Sequence, residues 1–380
     1  MEENERRLYP MRFLENSFTM PWGSVTYKIA DLGVVDSMVA EGWFGGNTLS
    51  ELMGTYMERV VGDDAFEYYG LQFPLLVKEI RTTGWQPLQV NVADGPAEER
   101  YDSFGKTALW IVLEAVPGSG MFLGLKRDVE PEDFYRRCLE GRVGEVLNEI
   151  RPSAGDAFVI ERGTVYSAGP GLTILEISEC SELTLILNDL GSNLPEDSPV
   201  LLEEAFDLID FSEYTSPAVL TPRETSAPQT PPPASPAVPP LTWPRVATVS
   251  EGLTPPGEDS RGIKALADRN EFIVRRMALR DPLHVFSEQP GGFTIYHCVR
   301  GEAAIQPVPG ADSFTQVTVK AGQSALVPSE VNDILLLPFR EGTVLLEATV
   351  PRRELLDSYS SPSSPEAGSA PDPHVRNWNQ

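Results

Sequence analysis

Gly155-Asp156-Ala157-Phe158-Val159-Ile160 reads as a glycine turn feeding a short apolar strand, and Gly163 opens the next turn. Gly322-Gln323-Ser324-Ala325-Leu326-Val327 repeats the pattern and runs into Pro328-Ser329-Glu330. Val, Ile, Phe and Leu suit a pleated strand, while Gly, Pro and Asp suit the tight turns between strands. Double-sheet jelly rolls use this alternation. Its recurrence on either side of a Pro-rich stretch predicts two such units in one chain.

Working outward, short β-rich runs occupy 73–80, 88–92, 109–115, 157–160, 172–177 and 183–187. Gly, Pro and Asp break them at short intervals, which favours a mainly β sandwich over parallel α/β units. Two helices are predicted among them. Thr48 and Glu51 form a capping box ahead of Leu49, Leu52, Met53 and Tyr56 at helical spacing. Pro131 and Gly141 bracket a second helix over 130–139.

The composition shifts divide the chain into an N-terminal unit with helical insertions (1–215), a Pro-rich disordered linker (216–265), a C-terminal unit (266–356) and a disordered tail (357–380). The 380 residues are 41% hydrophobic, enough for two cores. No run approaches a membrane span, and the first residues, Met1-Glu2-Glu3-Asn4-Glu5, lack the order of a secretory signal. Three scattered cysteines, Cys138, Cys180 and Cys298, suit a reducing cytoplasm and form no thiolate metal motif. A formal charge of −26 argues against nucleic acid as a partner.

Three segments carry more specific information: Leu88-Gln89-Val90-Asn91, Ser103-Phe104-Gly105-Lys106-Thr107-Ala108-Leu109-Trp110, and Gly163-Thr164-Val165-Tyr166-Ser167-Ala168-Gly169-Pro170-Gly171. They resemble signature segments of the type I phosphomannose isomerases, cupin-fold enzymes that interconvert mannose 6-phosphate and fructose 6-phosphate. The resemblance extends through Pro21-Trp22-Gly23, Gly46-Asn47-Thr48-Leu49-Ser50-Glu51-Leu52 and Glu204-Ala205-Phe206-Asp207-Leu208-Ile209-Asp210, and more faintly over 266–350. It implies two cupin-type jelly rolls with a few helices in or after the first.

In that family a glutamine, two histidines and a glutamate hold zinc. The matching positions here are Gln89, Asn91, Tyr166 and Ala108, and no histidine precedes His284. Zinc needs four donors of tetrahedral type. Only Gln89 is retained, so the resemblance predicts that the zinc site is lost. Ile186 stands where the family has a catalytic arginine, and Pro87 where it often has a hydroxyl residue. Lys106 and Glu176 match a substrate-binding lysine and an acid associated with proton transfer. They are the retained pocket candidates, with Gln89 as a third ligand-binding candidate.

Each candidate has a plainer alternative. A lysine before a strand is commonly solvated, and Glu176 could lie on a solvent face of its strand. Tyr166 is expected to fill the space of a lost imidazole. His284 and His297 read as surface or core histidines rather than ligands. The leading expectation is a catalytically inactive, isomerase-like protein that binds a sugar phosphate or a protein partner. The alternatives are an active mannose-6-phosphate isomerase with a rebuilt or metal-free site, and a structural interaction protein.

Overall fold

The computed structural model describes residues 6–192, 194–195, 199–215, 247–249, 262–286, 292–308 and 314–351. Its first strands are β1 Met11–Arg12, β2 Asn16–Met20, β3 Gly23–Ile29, β4 Leu75–Thr82, β5 Leu88–Asn91 and β6 Ala108–Ala115. They are followed by β7 Met121–Leu125, β8 Leu147–Ile150, β9 Ala157–Ile160, β10 Val165–Ala168, β11 Leu172–Glu179 and β12 Thr184–Asn188. The later strands are β13 Ala247–Val249, β14 Ile263–Asp268, β15 Ile273–Leu279, β16 Leu283–Phe286 and β17 Thr294–Arg300. β18 Glu302–Pro307, β19 Val317–Lys320, β20 Ser324–Val327, β21 Asp333–Pro338 and β22 Thr343–Thr349 complete the set.

These strands form two sandwiches, so the mainly β, double jelly-roll expectation holds. The first stacks the sheet β2-β3-β4-β11-β6-β9 on the sheet β12-β5-β10-β7-β8. Trp110, Phe158, Ile174, Leu123, Tyr166 and Ala168 fill the space between them. The second stacks β1-β20-β17-β22-β15-β14 on β13-β16-β21-β18-β19, around Tyr296, Cys298, Ile305, Leu336 and Leu345.

A further core joins the sandwiches. Val77, Leu109, Leu175 and Ile177, on the outer face of the first sandwich, pack in one cluster with Phe272, Phe293, Ile295 and Leu346 of the second. Phe73 meets Phe293 at 4.7 Å between ring centroids. Strand β11 is therefore covered on both faces, and every one of its residues is buried. This explains why Leu172-Thr173-Ile174-Leu175-Glu176-Ile177 reads as a near-continuous apolar run rather than an alternation.

The helices α1 Leu49–Tyr56, α2 Glu58–Val61 and α3 Asp63–Tyr69 occupy the same seam. The free carbonyls at the end of α2 accept from the second sandwich: Ser329 N donates to Val60 O at 2.9 Å and Glu330 N to Arg59 O at 3.0 Å. Helix α4 Asp94–Tyr101, α5 Pro131–Leu139 and α6 Leu202–Ala205 follow in the first unit. Of these, α5 with its N-terminal Pro131 lies where the sequence predicts it.

The capping box of α1 is formed on both sides: Thr48 Oγ1 accepts from Glu51 N, and Glu51 accepts from Thr48 N. Thr48→Ala is expected to cost about 1 kcal/mol, read as a lower urea midpoint at unchanged slope. No loss would mean that the seam alone holds α1.

Two details depart from the sequence-based division. Met11 and Arg12 pair with Leu326 and Ala325, so β1 belongs to the sheet of the second unit. The expected linker and tail lie mostly outside the described residues. Within 216–265, however, Ala247–Val249 pairs in parallel with β16, and β14 begins at Ile263, ahead of the boundary drawn at 266. Its sequence Ile-Lys-Ala-Leu-Ala-Asp is free of proline and continues into the hairpin with β15.

Candidate functional site

The quoted segments converge inside the first sandwich. Leu88 and Val90 of β5 face the helices on its outer side, so Gln89 and Asn91 face inward. Tyr166 lies directly across from Gln89 on β10, and Ile186 and Thr184 on β12 oppose Gln89 and Asn91. Ala108, Trp110 and Tyr166 belong to the same inter-sheet cluster. The four positions that match the family's ligands therefore share one interior.

Their chemistry is not that of a metal centre. Tyr166 donates its hydroxyl to Asn91 Oδ1 at 2.6 Å, and Thr184 Oγ1 reaches the same oxygen at 3.4 Å. Burial pushes the Tyr166 phenol well up, so it stays a neutral donor. Trp110 meets the Tyr166 ring edge-on at 5.3 Å. Ala108 supplies no donor atom, and only the half-buried Gln89 amide is left. Among the described residues no group of three or more His, Cys, Asp and Glu side chains has a metal-holding arrangement. The residues present do not fit zinc.

Beside this pair lies a network of four charges. Lys106 is 1% exposed and Glu176 2% exposed. Their ion pair is 2.9 Å long, and Lys78 approaches the same carboxylate oxygen at 3.3 Å. The second oxygen of Glu176 accepts from Trp110 Nε1 at 2.7 Å. Glu182 closes the circuit, 2.5 Å from Lys78 and 3.5 Å from Lys106. Its side chain is 35% exposed and forms the network's opening to solvent.

The strands dictate these contacts. Glu176 on β11 opposes Lys78 on β4 and Trp110 on β6. Lys106 is held just ahead of β6 by its amide, which donates to Val92 O at 3.0 Å. Tyr27 sits opposite Lys78, with the ammonium 5.9 Å from its ring centroid.

Electrostatics follow from this geometry. Burial alone would raise the Glu176 carboxyl, but Lys106 and Lys78 bring it down to about 2. Burial would lower Lys106, and Glu176 and Glu182 more than offset that, holding the ammonium well above its ordinary range. Glu182 is lowered by the same two lysines against the cost of burial. Proton transfer near neutral pH calls for a group that ionises near that pH. Glu176 is a weak base here and Lys106 a committed cation.

Of Lys106, Glu176 and Gln89, the structure brings the first two into contact. The solvated reading of Lys106 does not describe a residue 1% exposed, nor the outward reading Glu176, because β11 has no solvent face. Lys78 and Glu182 went unnoticed in the sequence. Lys78 carried the same signal as Glu176, a charge inside an apolar strand. Glu182 lies in a loop and gave none. His297 is buried against Ser324, and His284 pairs with Asp333 at 2.6 Å, an acid partner that sequence spacing did not reveal.

No protein-family model matches the chain. It is 27% identical over 188 residues to a mannose-6-phosphate isomerase of Streptococcus mutans, covering 49% of this chain and 57% of that protein. It is 28% identical over 154 residues to mannose-6-phosphate isomerase ManA of Bacillus subtilis, covering 40% and 47%. The chain thus spans about half the length of the curated relatives it matches. The fold extends further. A crystal structure of the mannose 6-phosphate isomerase from Bacillus subtilis superposes with a TM-score of 0.69 at 16% identity, over 90% of this chain and 100% of that one. A zinc-bound mannose 6-phosphate isomerase gives 0.62 at 11% identity, over the same shares.

Proposed function

We propose that this mannose-6-phosphate isomerase-like protein is a catalytically silent member of the group, a binding protein built on an enzyme's frame. The observation that carries the reading is the Tyr166–Asn91 hydrogen bond. At two positions where the family resemblance implies a zinc-binding nitrogen, a phenol instead donates to an amide oxygen at 2.6 Å. The pocket's cations are likewise committed to Glu176 and Glu182. Moving a proton between neighbouring carbons needs a base and a stabiliser of the developing enediolate. The residues present do not fit an open metal position, and the resemblance puts the apolar Ile186 where the family has an arginine, so the second need has no evident supplier among the described residues.

The test is a coupled isomerase assay on mannose 6-phosphate, alongside elemental analysis for zinc. Loss of one transition-state stabiliser commonly costs about a hundred- to a thousandfold, so turnover is expected at background and zinc below stoichiometry. Turnover of about one per second or faster, with a zinc that Gln89→Ala releases, would overturn the reading. Titration with mannose 6-phosphate then separates the two binding roles. Saturable heat favours a sugar-phosphate binder, and its absence favours a protein partner as the ligand.

A further inference from the structure

A cavity of about 310 Å3 opens at the seam between the sandwiches, away from the Lys106–Glu176 network. It is lined by Arg12, Glu15, Lys28, Gln323 and Ser324, with the chain around Phe13, Leu14 and Ala40 completing its walls. We propose that it binds a small oxyanion, a phosphate or carboxylate head on a hydrogen-bonding body.

Four observations lead there. The first is charge: in a chain of formal charge −26, two cations and one carboxylate line this cavity. The second is how those cations are held. Arg12 pairs with Glu41 at 2.7 Å and Lys28 with Glu15 at 2.7 Å, and the two carboxylates are 50% and 44% exposed. The acids face water while the Lys28 side chain is 6% exposed, so both carboxylates can swing out and leave the cations to a competing ligand. Glu79 stands behind Lys28 at 3.7 Å and keeps a counter-charge in place. The third is backbone design. Register shifts between Tyr27 and Ile29, so Lys28 is the unpaired residue of a bulge in β3. Bulges of this kind re-aim a side chain.

The fourth is the support behind the polar wall. His297, 1% exposed, shares a hydrogen bond with Ser324 Oγ at 2.9 Å through Nδ1. Its Nε2 has no hydrogen-bond partner among the described residues. The ring fixes Ser324 at the cavity wall, while Gln323 is oriented by Arg12 Nη1, which donates to its Oε1 at 3.2 Å. A guanidinium, an ammonium, a hydroxyl and an amide so arranged match an oxyanion's several acceptor lone pairs.

The experiment is isothermal titration of the full chain with inorganic phosphate and, separately, with acetate at low ionic strength. Saturable binding of at least one is expected, and the stronger of the two identifies the head group. Arg12→Gln, at a partly exposed position, should weaken it about ten- to a hundredfold, and Gln323→Ala less. Arg151→Gln, at an exposed position of the first sandwich, should leave it unchanged. Lys28→Met should abolish binding, with Lys28→Arg retaining part of it if the methionine variant fails to fold. No saturable heat with either anion would overturn the proposal. So would binding that Arg12→Gln leaves intact, or binding that only Gln89→Ala weakens, which would place the anion in the first sandwich.

Discussion

Lys106→Met is expected to lower the stability of the protein by about 3–5 kcal/mol, seen as a large drop in urea midpoint at unchanged slope. The substitution keeps most of the stem's volume and removes the charge that Glu176 faces at 2.9 Å. Glu176 would then rely on Lys78 and the Trp110 indole alone, inside an interior where an uncompensated carboxylate is costly. The companion double variant, Lys106→Met with Glu176→Gln, should recover most of the loss. It leaves Lys78 and Glu182 as a matched pair and still offers the Trp110 N–H an acceptor. A double variant no more stable than the single one would mean that Lys106 acts through packing of its stem, and the charge argument would fail.

Acidification is expected to produce the second large effect, a steep loss of stability below about pH 4.5. Three buried groups set the window. Burial, reinforced by Lys28, takes His297 from 6.5 down to about 3, so its contribution falls as pH drops through that range. Burial takes Glu179 up from 4.5 to about 7, even with Arg162 pulling the other way. Its contribution therefore grows as pH falls from 7 to 4.5. Between 6.5 and 4.5 the two oppose each other, one proton each, and stability should change little.

Below 4.5 the balance ends. Glu176, held down to about 2, must be protonated on unfolding, and His297 still adds a proton in the same direction. Two protons taken up on unfolding correspond to a slope of about 2.7 kcal/mol per pH unit. The half-buried Asp133 and the exposed Glu145 and Asp207, lowered mainly by their arginine hydrogen bonds, add to the trend. His297→Gln should roughly halve the slope between pH 4.5 and 3. A thermal midpoint that declines evenly from pH 7 to 3, with no break near 4.5, would refute the assignment.

Much of the fold was legible because jelly rolls are written in turns. The run 157–160 coincides with β9, and the capping box at Thr48 and Glu51 marks α1. Met121–Leu125 and Val165–Ala168 were harder to read, since Gly124 interrupts one and the other is a short run between glycines. The partner of β1 was unreadable: nothing in Met11-Arg12 says that it pairs across the whole chain. In the site, the family segments carry Gln89, Asn91, Ala108 and Tyr166, which lie in one interior. What the sequence hid was who bonds to whom. The Tyr166–Asn91 bond and the second lysine depend on strand register, and register is a property of paired strands.

Strand β1 also bears on biosynthesis. Met11 pairs with Leu326, so a segment translated early waits for a partner translated late. At roughly 5–20 residues per second, the delay between them is some tens of seconds. Over that interval Tyr9, Met11 and Phe13, all buried in the finished seam, have no sheet to join. The first sandwich can close on the ribosome, but its N-terminal seam cannot. That apolar stretch, like the outer face of β4, β6 and β11, is therefore a place where the nascent chain offers a chaperone a surface. Met11→Asp, by removing the apolar surface together with the docking, should separate yield in cells from the stability of whatever folds.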